Sequence, residues 1–159
     1  MPKQITAQQA LQKLTAQCAR AEYCSADIRR KLRLWHLPES DADEIIDYMQ
    51  REKYVDDSRY SRFFVEDKLH GNGWGRMKIR QALKAKFVAD DVVDEALSTI
   101  PDADYLEVLM PLIKQKWHTV QAATDYERSG KVIRFAMGRG FTMDEIRHCI
   151  DQLAEADLE

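Results

Sequence analysis

One spacing recurs three times along this chain and constrains what it can fold into more than any other feature. Ile28 is followed four residues on by Leu32 and nine residues on by Leu37. Ile79, Leu83 and Val88 repeat that spacing, and Val132, Ala136 and Phe141 repeat it again. The first members stand 51 and then 53 residues apart. A period of this size marks tandem supersecondary units.

A second row of apolar residues follows in each copy. Val93 and Leu97, then Ile146 and Ile150, fall fourteen and eighteen residues after their anchors. In the first copy the row slips by three, to Ile45 and Met49, because the Pro38–Ser40 connection is longer. These rows have the i, i+4 spacing of buried helix faces, and no alternating strand pattern interrupts them. A further helix precedes each anchor, at about 7–22, about 57–69 and about 104–118.

The expected architecture is all-α: three tandem three-helix repeats at 4–54, 55–101 and 102–159, with about nine helices. Cap chemistry agrees with this division. Thr142 with Glu145 forms a capping box, with Phe141 and Ile146 as the hydrophobic staple. Asp41 with Glu44 makes a similar start in the first copy, and Asp90 or Asp91 serves in the second. Pro111 falls inside the seventh helix and is expected to kink or split it, since it lacks a backbone donor and clashes one turn back.

Composition narrows the functional class. Of the 159 residues, 45% are apolar and 32% charged, the balance of a folded globular protein. No apolar run approaches the roughly 20 residues that span a bilayer, and the first residues lack an apolar signal core, which predicts a soluble protein of the cytoplasm. Three irregularly spaced cysteines fit a reducing compartment better than a disulfide framework. Net charge is −3, but residues 1–88 carry +5 and residues 89–159 carry −8. Such asymmetry orients a protein in the field of a charged partner.

Catalysis finds little support. Cys18, Cys24, His148 and Cys149 match no zinc spacing, and each cysteine is more simply a small core residue. His36, His70 and His118 are scattered, with no nucleophile–base pair. Trp35, Trp74 and Trp117 lie near helix ends, where packing or an interface is expected. The glycines of GNGWG (71–75) have no following Lys-Ser/Thr and no preceding strand, so they suggest a flexible helix–helix loop rather than a phosphate cradle. No catalytic residue, metal site, cofactor or small-molecule substrate is expected.

Two stretches remain. In YVDDSRYSRFFVEDKL (54–69), Asp56 is placed as an N-cap and Asp57 favours the positive end of the helix dipole. Val55 with Tyr60 can form a staple, and Phe63 and Phe64 are expected to enter the core. Arg59 can pair with either acid or face a partner. The helix over 76–86 carries Arg76, Lys78, Arg80, Lys84 and Lys86 without one acid. Arg80 and Lys84 lie one position after Ile79 and Leu83, and Arg29 and Arg33 sit at the same offset in the first copy. The third copy breaks the series with Ile133 and Met137. The series is either a solvated helix face or one basic track facing phosphates or an acidic protein surface.

With these residues in view, the chain resembles the RecX family of recombinase regulators. Val55-Asp56-Asp57-Ser58-Arg59-Tyr60-Ser61, followed by Phe64 and Val65, resembles the family's apolar-Asp-Asp-x-Arg-aromatic-Ala signature. Gly75-Arg76, with Ile79, Leu83 and Lys86, resembles its Gly-Arg-x-x-apolar helix. Met137-Gly138-Arg139-Gly140-Phe141, followed by Ile146, resembles the Arg-Gly-Phe turn of its third repeat. Ser61 stands where Ala is usual, and Phe87 where Gly commonly follows the Lys.

The resemblance implies an elongated, curved, right-angled array of three repeats that lies along a RecA–DNA filament. It implies inhibition of RecA's ATP hydrolysis and strand exchange, or filament disassembly, with no active site and no membrane. RecA is the implied partner, and DNA within the filament a second contact. The residues then expected at the partner are Arg29, Arg33, Arg59, Arg76, Lys78, Arg80, Lys84 and Lys86, with Asp56, Asp57 and Thr142 structural. The alternative is a direct DNA-binding module of helix-turn-helix type, using 76–86 as its recognition helix.

Overall fold

A computed structural model describes residues 4–157, and among them the chain forms nine α-helices and no strand. In chain order these are α1 (Ala7–Cys18), α2 (Ser25–Leu34), α3 (Glu39–Arg51), α4 (Asp57–Glu66), α5 (Arg76–Ala85), α6 (Asp90–Ser98), α7 (Asp102–Thr119), α8 (Asp125–Gly138) and α9 (Met143–Asp157). A π-helical turn, Asp67–Gly71, continues α4 and buries Leu69. The all-α reading of three three-helix repeats holds.

The recurrent spacing has a specific local cause. At +4 and +9 from each anchor lie the two ends of a helix-terminating Schellman turn. In the first repeat, the His36 amide donates to the Arg33 carbonyl at 3.0 Å and the Leu37 amide to the Leu32 carbonyl at 3.1 Å. Phe87 and Val88 make the same pair of bonds at the end of α5, and Gly140 and Phe141 at the end of α8. His36, Phe87 and Gly140 all have positive φ, at 61°, 59° and 99°. The turn folds the residue at +9 back over the residue at +4, and the apolar pair seals it. Leu32 with Leu37, Leu83 with Val88, and Ala136 with Phe141 are accordingly all buried.

The helix starts follow two patterns. Thr6, Thr124 and Thr142 accept the amides of Gln9, Glu127 and Glu145 at 3.1–3.2 Å. The Glu145 carboxylate returns to the Thr142 amide at 2.8 Å, completing the expected box, and Phe141 and Ile146 are buried beside it. α3 instead takes Pro38 as its N-cap, three residues before the expected Asp41, in an extended conformation and without a side-chain cap. α6 starts after Ala89 without a side-chain cap; Asp90 and Asp91 lie within its first turn, beside the positive end of the dipole.

Other expectations need correcting. α1 ends at Cys18, where the chain turns to place buried Cys24 at the entry to α2. α7 continues through Pro111 as one helix, so the split does not occur, and Tyr105, Leu109 and Ile113 are its buried residues. Phe63 is exposed while Phe64 packs against the core, since adjacent helical positions point about 100° apart. Val55 and Tyr60 do not staple: Val55 is buried with the first repeat, Tyr60 packs against the second.

That last point reflects the larger plan. One core, from Ala10 to Val55, belongs to the first repeat alone. A second, from Val65 to Cys149, is shared by the second and third repeats. Each fully buried Leu, Ile or Phe in them contributes roughly 1.5–3 kcal/mol.

Candidate partner-binding face

α2 and α5 present the basic residues of the first two repeats, and the acids that meet them come from α3 and α6. Arg29 lies 2.9 Å from both Glu39 and Asp43, and Arg33 lies 2.7 Å from Glu39. Arg80 pairs with Asp94, and Lys84 lies 3.4 Å from Asp90. Arg29–Asp43 and Arg80–Asp94 are the same pair 51 residues apart, as are Arg33–Glu39 and Lys84–Asp90. The repeat therefore copies complete ion pairs, not cations alone.

The basic track is thus a ladder of mixed charge. The Asp43 hydrogen bond raises the Arg29 guanidinium above its ordinary value, and the Arg33 hydrogen bond holds the Glu39 carboxyl below its own. Arg33, Lys84 and the four carboxylates are each more than half exposed, so a partner's charges can compete for them. In the third repeat the ladder turns apolar: Met137 and Met143 occupy the positions of Lys84 and Asp90, and both are exposed.

Of the other expected partner residues, Arg59, Arg76 and Lys86 are drawn into joints between repeats. Arg76 lies 3.1 Å from Asp102 and 3.5 Å from Glu145, stacks over the Tyr105 ring, and donates its amide to the Tyr105 hydroxyl at 3.1 Å. It ties the second repeat to the third. Lys78 lies over the Trp74 ring at 4.6 Å. Lys86 reaches back to Asp27 at 2.8 Å. Burial would push the Asp27 carboxyl up, but Lys86 and the Cys24 donors outweigh it and hold it below its ordinary value. Beside it, burial raises the Cys24 thiol to about 11, so it stays a protonated core group.

The Asp-Asp-x-Arg segment is a second joint. Asp56 caps α4 through the Arg59 amide at 3.1 Å, as expected. Asp57 does more than meet a dipole: it accepts the Ser25 amide at 2.8 Å and the Ser25 hydroxyl at 2.7 Å, and so caps α2 of the preceding repeat. Arg59 pairs with neither aspartate carboxylate. It lies 2.8 Å from Glu22 and donates to the Lys53 and Tyr54 carbonyls. Sequence reasoning missed this role, because both carbonyls lie past the end of α3 and only the fold brings Arg59 to them.

The glycine segment is a third joint and not a flexible loop. The Gly75 amide donates to the Arg139 carbonyl at 2.7 Å, the Met77 amide to the Gly140 carbonyl at 3.1 Å, and Arg139 donates to the Asn72 carbonyl at 2.9 Å. Among the described residues no cluster of His, Cys, Asp or Glu is arranged to hold a metal, and no helix is long and apolar enough to cross a membrane.

Comparison with known proteins sets this geometry in a family. A family model described as RecX, second three-helix domain, matches residues 56–97, and one described as RecX, third three-helix domain, matches 102–150. The regulatory protein RecX of Acinetobacter baylyi is 31% identical over 136 residues, covering 86% of this chain and 82% of the relative. That of Vibrio vulnificus is 29% identical, covering 86% and 87%. The chain spans 62% of the length of the RecX proteins of Clostridium beijerinckii and Clostridium botulinum, at 25% and 31% identity. The crystal structure of RecX from Lactobacillus salivarius superimposes with a TM-score of 0.86 at 18% identity, covering 93% of this chain and 96% of that one.

Proposed function

The chain belongs to the RecX family of regulatory proteins, and from that premise we propose that it binds the RecA–DNA filament and restrains RecA's ATP hydrolysis and strand exchange. It acts in the cytoplasm, without a cofactor or small-molecule substrate, by preferring one state of the filament. A differential affinity is sufficient to shift such an equilibrium.

The observation that carries this reading is the repeated ion-pair ladder on α2–α3 and α5–α6. A surface that presents the same alternation of cation and carboxylate twice, 51 residues apart, suits a partner that is itself periodic and mixed in charge, as a protein filament is. Arg29, Arg33, Arg80 and Lys84 are the partner-facing cations of this proposal, with Lys78 at the edge. Arg59, Arg76 and Lys86 serve the joints that set the spacing of the ladder.

The helix-turn-helix alternative is less well supported. A recognition helix enters the major groove with its N-terminal residues against base edges. The N-terminus of α5 is occupied otherwise, with the Arg76 amide on Tyr105 and the Met77 amide on Gly140. Binding to bare DNA would also bring its phosphates against the exposed carboxylates Glu39, Asp43, Asp90 and Asp94 that stand beside these cations.

The test is RecA's ATP hydrolysis on single-stranded DNA with increasing amounts of this protein. Hydrolysis falling to a plateau supports the proposal. Unchanged hydrolysis with tight, steeply salt-dependent binding to bare DNA favours the alternative.

A further inference from the structure

Phe87 is 86% exposed and holds φ 59°, at the Schellman position that His36 and Gly140 occupy in the other repeats. A bulky residue rarely adopts this region, and glycine fits it without steric conflict. The aromatic ring therefore stands out from the fold on a strained backbone and gains almost no burial for it. Strain of this kind persists where the surroundings over-determine it, and it clusters at ligand clamps and switch regions.

Phe87 lines a cleft of about 780 Å³ shared by the first and second repeats. Arg29, Arg30 and Arg33 of α2 line one side, and Lys86 and Phe87 at the end of α5 line the other. Of the four cations, Arg29 and Arg33 are held by Glu39 and Asp43, and Lys86 by Asp27. Arg30 is exposed and makes no ion pair among the described residues.

We infer that this cleft receives a protein segment in which a carboxylate adjoins an aromatic or large aliphatic side chain. The apolar group packs on Phe87 and the carboxylate meets Arg30. This deepens the proposed function and rests on it: the segment belongs to the protein component of the filament. Charge complementarity decides against a nucleic-acid strand. A strand requires several unpaired cations along its phosphates, and the cleft offers one, while exposed Glu39 and Asp43 beside it repel phosphate. Aromatic residues and arginine are both enriched at protein interfaces. Because the cleft has one wall in each repeat, its occupant also fixes the angle between them.

The test uses the full chain and RecA filaments assembled on a single-stranded oligonucleotide, with the same oligonucleotide bare as the second probe. Phe87→Gly removes the anchor and relieves the backbone, so its midpoint of thermal unfolding should rise by about 2–4 °C while filament affinity falls about ten-fold or more. Phe87→Trp should keep the affinity, and Arg30→Ala should lose about three-fold to ten-fold. A purely structural Phe87 cannot give a more stable chain that binds worse. Filament binding by Phe87→Gly within two-fold of the parent overturns the inference and leaves the proposed function standing. Parent affinity for the bare oligonucleotide that Phe87→Gly abolishes makes the occupant a nucleic acid and overturns it too. A parent chain that ignores the filaments overturns the proposed function and this inference together.

Discussion

Gly75 and Gly140 meet backbone to backbone across the seam between the second and third repeats. A Cβ on Gly75 would overlap the Gly140 carbonyl group and lie 2.6 Å from the Phe141 amide nitrogen. A Cβ on Gly140 would lie 2.6 Å from the Lys78 amide nitrogen, with φ 99° adding strain of its own. Neither backbone can withdraw without breaking the Gly75–Arg139 and Met77–Gly140 hydrogen bonds. Gly75→Ala and Gly140→Ala should therefore each destabilise by about 1–3 kcal/mol, the usual range for overpacking. Gly130→Ala, inside α8 with open space around it, should instead stabilise by up to about 1 kcal/mol. Urea unfolding of the three variants checks both signs at once.

Ser61 offers a gain of a different kind. It is fully buried in α4, and its hydroxyl has no hydrogen-bond partner. A buried, unsatisfied hydroxyl carries a desolvation penalty of roughly 1–3 kcal/mol. Ser61→Ala removes it at the cost of one small atom's packing and restores the residue usual in the family signature. The variant should be more stable by about 1 kcal/mol, a rise of about 2–4 °C in the unfolding midpoint. An unchanged or lowered midpoint in calorimetry would mean that the hydroxyl is satisfied in solution.

What the sequence made legible was whatever one helix and its own cap decide. The Ile28–Leu32–Leu37 spacing was visible because the Schellman turn forces an apolar contact between two fixed positions in one short segment. The Thr142–Glu145 box was visible for the same reason. What stayed hidden were pairings across repeats. Asp57 looks like a dipole residue of its own helix until α2 brings Ser25 to it, and the Gly71–Gly75 segment looks flexible until the Arg139–Gly140 turn docks on it. The ladder lay between these cases. Glu39 and Asp43 recur as Asp90 and Asp94 at the same 51-residue offset as the arginines, so aligning acids as well as bases would have exposed it.

The ladder makes a prediction that separates charge from position. Replacing Arg29, Arg33, Arg80 and Lys84 together by Ala leaves Glu39, Asp43, Asp90 and Asp94 without their cations. Filament affinity should fall about ten-fold or more. The unfolding midpoint should fall only slightly, because exposed pairs contribute little in water. Swapping Arg80 and Asp94, as Arg80→Asp with Asp94→Arg, keeps the pair but reverses its direction. Stability should survive the swap while filament affinity drops. Binding equal to the parent in both variants would make the ladder a solvated face.

The joint between the first repeat and the rest should respond to acid before either core does. The two cores share no buried residue, and the polar ties across the joint include Lys86–Asp27, Asp57–Ser25 and Arg59–Glu22. The folded Asp27 carboxyl lies below its ordinary value of 3.8. Its contribution is therefore complete above about pH 4 and is lost as pH falls through the lower, folded value. Between pH 5 and 8 the joint should hold unchanged, and as pH falls below 3.8 it should weaken, the first repeat loosening while the larger core persists. Asp27→Asn should weaken the joint at neutral pH by about 1 kcal/mol, since hydrogen bonds to charged groups are worth roughly 1.5–3 kcal/mol and Lys86 is partly solvated. Trp35 packs on the first core, Trp74 and Trp117 on the second. Single-tryptophan variants thus report the two bodies separately, and coincident acid transitions from Trp35 and Trp117 would show the joint to be as strong as the cores it connects.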